Sequence, residues 1–275
     1  MVKIYKEKQW NNIAILERLK FMLKTLNTNN QDLFLDLIEH YKIIKAQDYE
    51  KLLMEAVEKL IKDIDIEKYQ KIYISPILKE VNGNKSEPLI KDGFVTQIKS
   101  GYYVCYLFKS LNMTFKNYFG TKKVNVVDVL SEKEIDEIKE GNSLLILADD
   151  YIGEGFSART CIKNHEINRG ISSENLIVVS LIIEEKGKEL LQRHNIKYFD
   201  SNVKTYNVNQ VLEKGNYNGE SIKEMKKELK VSKKDRQKLG RGDIGSLVSL
   251  IRTPNNTLSM YWKTDSRKSL TPFPR

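Results

Sequence analysis

Residues 144–158 read LLILADDYIGEGFSA, in which a short apolar run precedes two adjacent acids and a loop with two glycines and a serine. An apolar run of this length is typical of a strand that is covered on both faces of a parallel sheet. In such sheets, ligands bind at the carboxyl ends of the strands, where loops lead into helices. The sequence therefore predicts a buried strand that ends in a ligand-binding loop.

Other runs with the same β-branched and apolar character are IYIS at 72–75, VNVVDVL at 124–130 and LIVVSLII at 176–183. Helical patterns separate these runs. One of them, SGYYVCYLFKSLN, follows Lys99, and another, SEKEIDEIKE at 131–140, begins with the capping-box spacing of Ser131 and Glu134. Strands that alternate with helices predict an α/β fold built on a mainly parallel sheet.

The first 65 residues carry a helical pattern instead. Apolar residues recur at helical spacing in three stripes, of which the clearest runs from Tyr49 to Ile61. This pattern predicts three amphipathic helices that pack as a small bundle. We therefore expect an N-terminal helical region at 1–67 and an α/β domain at 68–275.

The chain has a formal net charge of +9, and much of the excess lies in one segment. Residues 226–241, KKELKVSKKDRQKLGR, hold eight basic and two acidic residues. Such a run is most often a solvated face, and the alternative is an electrostatic footprint for nucleic acid. The nucleic-acid interpretation assigns the contacts to Lys226, Lys230, Lys233 and Lys234.

Several classes of protein are disfavoured by the sequence. Cys105 and Cys161 are far apart, which argues against a disulfide framework and a zinc site, and the three histidines have no metal-ligand spacing. The N-terminus lacks the pattern of a signal peptide, and no apolar run is long enough to span a bilayer. We therefore expect a cytoplasmic protein with no membrane partner.

The loop after the acids has the composition of a phosphate site. Gly153 and Gly155 allow the backbone to turn tightly and to present N–H groups to an anion, and Ser157 adds a hydroxyl near the next helix. Asp149 and Asp150 suit the hydroxyls of a neighbouring sugar or a hydrated Mg²⁺. The combination predicts a binding site for a phosphorylated ribose. The alternative is an ordinary strand-to-helix loop whose acids cap the helix.

This segment resembles the motif of the type I phosphoribosyltransferases, in which a strand ends in two acids, followed by two variable residues and T-T-G-x-T or a close relative. The resemblance implies that fold for the α/β domain. It also implies that Asp149 and Asp150 hold the ribose hydroxyls of phosphoribosyl pyrophosphate (PRPP), orient the sugar for catalysis and bind Mg²⁺. The residues implied to bind the 5′-phosphate are Gly153, Glu154, Gly155, Phe156 and Ser157.

Lys99, Ser100 and Gly101 are similar to the short pyrophosphate loop that precedes a helix in the same family. They would supply a cation, a hydroxyl and a backbone amide to the pyrophosphate. The alternative is the N-capped start of an ordinary helix.

The tail TPNNTLSMYW, residues 253–262, together with DDYIGEG, resembles a phosphoribosyltransferase-like subgroup of bacterial conflict and antiphage systems, including retrons. The resemblance implies an antiphage effector that binds PRPP or another ribosyl phosphate and, if catalytic, transfers ribose 5-phosphate to an acceptor. The alternative is a non-catalytic nucleotide-sensing or nucleic-acid-binding accessory module with a degenerate site. Glu154 favours this alternative, because the family usually has a threonine there. Further implied partners are nucleic acid and a defence-system protein such as a reverse transcriptase.

Overall fold

A computed structural model describes residues 13–78, 90–91, 94–95, 100–114, 116–120, 122–262 and 271–273. The chain forms two compact units. Residues 47–203 make up one, here called the sheet unit, and residues 1–46 with 204–275 make up the other, the terminal unit. This grouping differs from the sequence-based division after residue 67, because the third predicted helix packs on the sheet.

The sheet unit is built on five parallel strands, which confirms the predicted α/β class. In spatial order the strands are β5 (Lys123–Val126), β2 (Lys71–Pro76), β6 (Ser143–Ile152), β7 (Leu176–Ile183) and β8 (Lys197–Asp200). The central strand β6 pairs with β2 and β7, and β7 is buried along its whole length. A strand that is apolar on both faces requires helices on both sides of the sheet, and the observed fold provides them.

One face of the sheet is covered by α3 (Tyr49–Asp63) and α4 (Ser100–Thr114), with the short α5 (Lys116–Phe119) after them. The helices that contribute to the core on the opposite face are α6 (Glu132–Lys139), α7 (Phe156–Lys163) and α8 (Glu185–Arg193). That core includes Leu145 and Leu147, which alternate along β6 with residues that face α3 and α4. The helix α6 begins with the predicted capping box of Ser131 and Glu134.

Two strands differ in length from the sequence-based expectation. The run at 124–130 is a strand only as far as Val126, since the chain then turns toward the cap of α6. The strand β6 continues through both acids to Ile152, because its pairing with β7 extends to Ile152 and Ile183. The acids therefore belong to the strand and do not begin the loop.

The terminal unit contains the helices α1 (Ile13–Thr25), α2 (Thr28–His40), α9 (Val208–Lys214), α10 (Gly219–Glu228) and α11 (Lys233–Arg236). A two-residue parallel pair joins β1 (Lys42–Ile43) to β9 (Val248–Ser249). The three N-terminal helices are thus present as predicted, and α1 and α2 share their core with the C-terminal segments.

Two short strands, β3 (Ile90–Lys91) and β4 (Phe94–Val95), form a separate antiparallel pair. Across the ranges that are described, no helix has both the length and the apolar character needed to cross a bilayer.

Candidate functional site

The predicted acids lie at the carboxyl edge of the sheet. The strand β2 ends at Pro76, which pairs with Ala148, so Asp149 and Asp150 extend past the end of that neighbouring strand. On the other side, Asp149 lies opposite Ser180 of β7. A strand that outlasts its neighbour exposes side chains to the crevice where ligands of open α/β sheets bind.

The glycine loop connects β6 to α7, as predicted. Gly155 has the left-handed angles φ 77° and ψ 1° and stands at the N-cap position of α7, where it has no side chain to cap the first turn. A Cβ atom at this position would lie 3.2 Å from Leu190 Cδ2. The first N–H groups of a helix have no partner within the helix, and they attract anions. Gly155 therefore lets the chain enter α7 in a conformation that suits an anion at its N-terminus.

A glycine that the sequence did not single out lets the loop approach α8. A Cβ atom at Gly187 would lie 2.8 Å from the carbonyl oxygen of Gly153, which is too close for any side chain. The available signal was a glycine inside an amphipathic helix, which often marks close packing. Of the remaining loop residues, Glu154 and Ser157 are half-buried and Phe156 is exposed.

The predicted pyrophosphate loop meets the acids. Ser100 and Gly101 begin α4, and a Cβ atom at Gly101 would lie 3.1 Å from the carbonyl oxygen of Ala148 and 3.4 Å from Asp149 Oδ1. A glycine at position 101 therefore brings the first turn of α4 close to the acid pair. Lys99 lies outside the described residues.

The two acids have different surroundings. Asp150 is 4% exposed and accepts hydrogen bonds from Ser100 and from the Tyr49 hydroxyl, the latter at 3.1 Å. Burial raises the pKa of Asp150, and the hydrogen bonds from these side chains act in the opposite direction. Asp149 is half-buried, and its Oδ1 accepts from the Asp150 N–H at 2.9 Å.

Negative charge is concentrated around this edge. The pKa of the buried Cys105 thiol is raised by burial and then by the charges of Asp149 and Asp128. Burial and Asp128 likewise raise the pKa of Tyr102 on the first turn of α4. An anionic ligand at this edge would therefore depend on backbone amides and on cations that it brings with it.

The further acids of the carboxyl edge are held by neighbours. Glu184, at the end of β7, accepts from the Tyr151 hydroxyl at 3.2 Å. Asp200, at the end of β8, pairs with Lys188 at 2.8 Å and with Lys59 at 3.6 Å.

On their own, the two acids do not make a full set of metal ligands. Within the described part of the chain, no group of three or more His, Cys, Asp or Glu side chains could hold one. The Asp150 carboxylate is also already engaged by two protein hydroxyls. Mg²⁺ commonly binds through one or two carboxylates together with substrate phosphates and water. The predicted Mg²⁺ therefore stays a prediction that depends on the ligand.

The basic segment at 226–241 gives a mixed result. Lys226 is fully buried in the terminal unit, and its ammonium group donates to the carbonyl oxygens of Asp235 and Lys238. The prediction that Lys226 contacts nucleic acid is therefore wrong, since its charge is enclosed by backbone. Lys230, Lys233 and Lys234 are exposed, and their proposed role stays a prediction.

The structure places an acid pair, a glycine loop and a helix start together at the carboxyl edge of a parallel sheet. This arrangement is the one expected of a phosphoribosyltransferase-like protein. A family model described as PRTase-CE matches residues 24–275. The chain belongs to the PRTase-CE family. No curated protein and no solved structure matches it significantly.

Proposed function

We propose that the chain binds a ribosyl phosphate, of which PRPP is the first candidate, at the carboxyl edge of the sheet unit. The observation that supports this most is the approach of Gly101 to Asp149, at the edge where the loop 153–157 begins α7. Two segments far apart in sequence that both present backbone amides beside a carboxylate suit a ligand with two phosphate groups and a sugar.

The proposed roles are those that the resemblance to the type I phosphoribosyltransferases implies. The loop from Gly153 to Ser157 receives the 5′-phosphate at the N-terminus of α7, and the acid pair orients the pentose. Ser100 and Gly101, on the first turn of α4, receive the pyrophosphate. In this arrangement Mg²⁺ would enter with the pyrophosphate and offset its charge.

A transfer reaction at this site would break the bond between C1 of ribose and pyrophosphate and form a bond from C1 to an acceptor. Positive charge develops on the ribose while the leaving group gains negative charge. The residues of the chain would contribute mainly by holding the ligand in one orientation and by stabilising the leaving group with backbone amides.

The second candidate is a module that binds a ribosyl phosphate without transferring it. Glu154 favours this candidate, because a carboxylate in a phosphate loop repels the ligand unless it points away or is neutralised. For either candidate we propose a role in bacterial antiphage defence, together with a nucleic-acid or protein partner such as a reverse transcriptase. The three exposed lysines of the basic segment are the proposed nucleic-acid contacts.

Two measurements separate these candidates. Calorimetry with PRPP and Mg²⁺ should detect binding that Asp149→Asn weakens by about tenfold or more, the loss expected for one charged hydrogen bond. Pyrophosphate release over a panel of bases, nucleotides and tRNA then tests transfer. Binding without release across the panel would favour the non-catalytic module, and equal affinity of wild type and Asp149→Asn would contradict the assigned site.

A further inference from the structure

Hydrogen bonds within the terminal unit bring together basic and aromatic side chains from distant parts of the sequence. The Leu247 N–H donates to the carbonyl oxygen of Tyr206 at 2.9 Å, and the Leu247 carbonyl oxygen accepts from the Lys42 N–H at 2.8 Å. Leu247 directly precedes β9, which pairs with β1. The backbone at residue 206 therefore lies beside the start of β1.

The ring of Tyr206 contacts two basic side chains. The ring of His40, the last residue of α2, packs edge-on against it, with centroids 4.7 Å apart and an interplanar angle of 77°. The ammonium group of Lys204 lies over the Tyr206 ring, 5.1 Å from its centroid. An aromatic face attracts a cation, so the ring holds Lys204 in place on this surface.

Two further lysines, Lys42 and Lys214, extend the group. The Lys214 ammonium group lies 3.4 Å from His40 Nε2. His40 Nδ1 lies 2.8 Å from the carbonyl oxygen of Asp36, which can only accept, so Nδ1 donates to it and Nε2 accepts from Lys214. The Lys42 ammonium group donates to the carbonyl oxygen of Lys204 at 3.4 Å. We call this group the Tyr206 cluster, and its members are His40, Lys42, Lys204, Tyr206 and Lys214.

The positive charge of the Tyr206 cluster is not neutralised by neighbouring acids. Within the described ranges, no carboxylate forms an ion pair with Lys42, Lys204 or Lys214. Lysines elsewhere do form such pairs, as Lys188 does with Asp200 at 2.8 Å. The side chains of Lys204 and Lys214 are exposed, and that of Lys42 is half-buried. The cluster is therefore a patch of positive charge that is open to solvent.

We propose that the Tyr206 cluster binds the phosphate backbone of single-stranded nucleic acid, with Lys42, Lys204 and Lys214 contacting phosphates and Tyr206 acting as a positioning residue for Lys204. An isolated phosphate gains little from exposed lysines, because water and salt screen each contact. A polyanion gains more, because each neutralised phosphate also releases condensed counterions. A ring among the cations is typical of surfaces that bind single strands. The cluster is separate in sequence from the basic segment 226–241, and this proposal does not depend on PRPP binding.

The test measures the binding of a fluorescent oligothymidylate by anisotropy over a series of salt concentrations. Lys204→Gln/Lys214→Gln should reduce the slope of log affinity against log salt concentration by about 1.4, since each lost phosphate contact contributes about 0.7. Its affinity at low salt should fall by about tenfold or more. The matched control is Lys24→Gln/Lys62→Gln, which removes two exposed lysines from the last turns of other helices and should keep the slope of the wild type.

A second pair of variants tests the role of the ring. Tyr206→Leu should weaken binding of the oligonucleotide by about threefold, which is the size of an exposed cation–π interaction. Tyr206→Phe keeps the ring and should bind as the wild type does. Equal affinity of the two variants would overturn the positioning role of Tyr206.

Further outcomes would overturn the proposal as a whole. One is an unchanged salt slope in Lys204→Gln/Lys214→Gln, and another is a wild type that binds no oligonucleotide. A third is a loss of unfolding free energy without a loss of affinity, which would mean that the lysines only stabilise the last carbonyl groups of α2. Thymidine monophosphate or a DNA duplex that binds as tightly as the single strand, through the same lysines, would likewise overturn it.

Failure of this proposal can be distinguished from failure of the PRPP site. Calorimetry of Lys204→Gln/Lys214→Gln with PRPP and Mg²⁺ should give the affinity of the wild type, because none of the cluster residues belongs to the proposed ribosyl phosphate site. Loss of oligonucleotide binding with PRPP binding retained supports the cluster. Loss of both in this variant would contradict a separate nucleic-acid surface.

Discussion

Replacement of Gly155 by alanine should weaken both the fold and the binding of an anion, and the two effects can be separated. Gly155 has φ 77°, where an L side chain costs about 1–2 kcal/mol. The new methyl group would also meet Leu190 Cδ2 at 3.2 Å, so that this side chain must move by a few tenths of an ångström. We expect a loss of unfolding free energy of about 2 kcal/mol in total.

Gly170→Ala is a matched control for the cost of placing a side chain on left-handed backbone. Gly170 has a similar φ of 66°, and its nearest contact would be the flexible end of Lys139 at 3.4 Å. It lies before β7, at the amino end of the sheet and away from the site. We expect Gly170→Ala to lose about 1 kcal/mol and no affinity for PRPP.

The assay combines urea unfolding with calorimetric titration of PRPP and Mg²⁺. Gly155→Ala should lose about tenfold or more in affinity at a temperature where it remains folded, because the start of α7 can no longer present its amides in the same geometry. A Gly155→Ala variant that is folded and binds PRPP as tightly as Gly170→Ala would refute the assignment of the loop to the phosphate.

Three further predictions concern charged groups. Burial lowers the pKa of Lys226 from 10.5 to about 8, so the unfolded chain binds more protons than the folded chain between these pH values. The unfolding free energy of the wild type, measured in urea relative to that of Lys226→Met, should therefore rise by about 2 kcal/mol from pH 7 to 9.5. A difference that stays constant with pH would contradict burial of the charge. Burial and the charge of Arg169 lower the pKa of His165 from 6.5 to about 4. The unfolding free energy should therefore fall by up to about 3 kcal/mol as the pH drops from 6.5 to 4, because the unfolded chain binds a proton that the folded chain does not. His165→Gln should not show this loss. If the basic segment binds single-stranded nucleic acid, charge reversal of its three exposed lysines should reduce the slope of log affinity against log salt concentration. The expected reduction is about 2, since each lost phosphate contact contributes about 0.7. An unchanged slope would rule out that surface.

Much of the sheet unit could be predicted because its signals are local. Apolar β-branched runs predicted β2 and β7 within one or two residues, and the capping box predicted the start of α6. The glycine and acid pattern likewise predicted a strand, a turn and a helix in the right order, since each step depends on neighbours in the chain.

The interactions that distinguish Asp149 from Asp150 were not predictable in this way. Tyr49 belongs to an apolar stripe, and the stripe indicates that a side chain is buried without indicating its partner. The same stripe could not show that α3 packs on the sheet, nor that α1 and α2 share a core with the C-terminal segments. The burial of Lys226 also depends on carbonyl oxygens of the segment 235–238, whose position is set by tertiary packing.

The claim that backbone amides of the loop after β6 hold a phosphate can be measured directly by NMR on protein labelled with ¹⁵N-glycine. Titration with PRPP and Mg²⁺ should shift the amide signals of Gly153 and Gly155 more than any other glycine except Gly101, and should leave Gly170 in place. Saturable binding that shifts Gly170 or the glycines of the terminal unit while Gly153 and Gly155 stay unchanged would contradict the site.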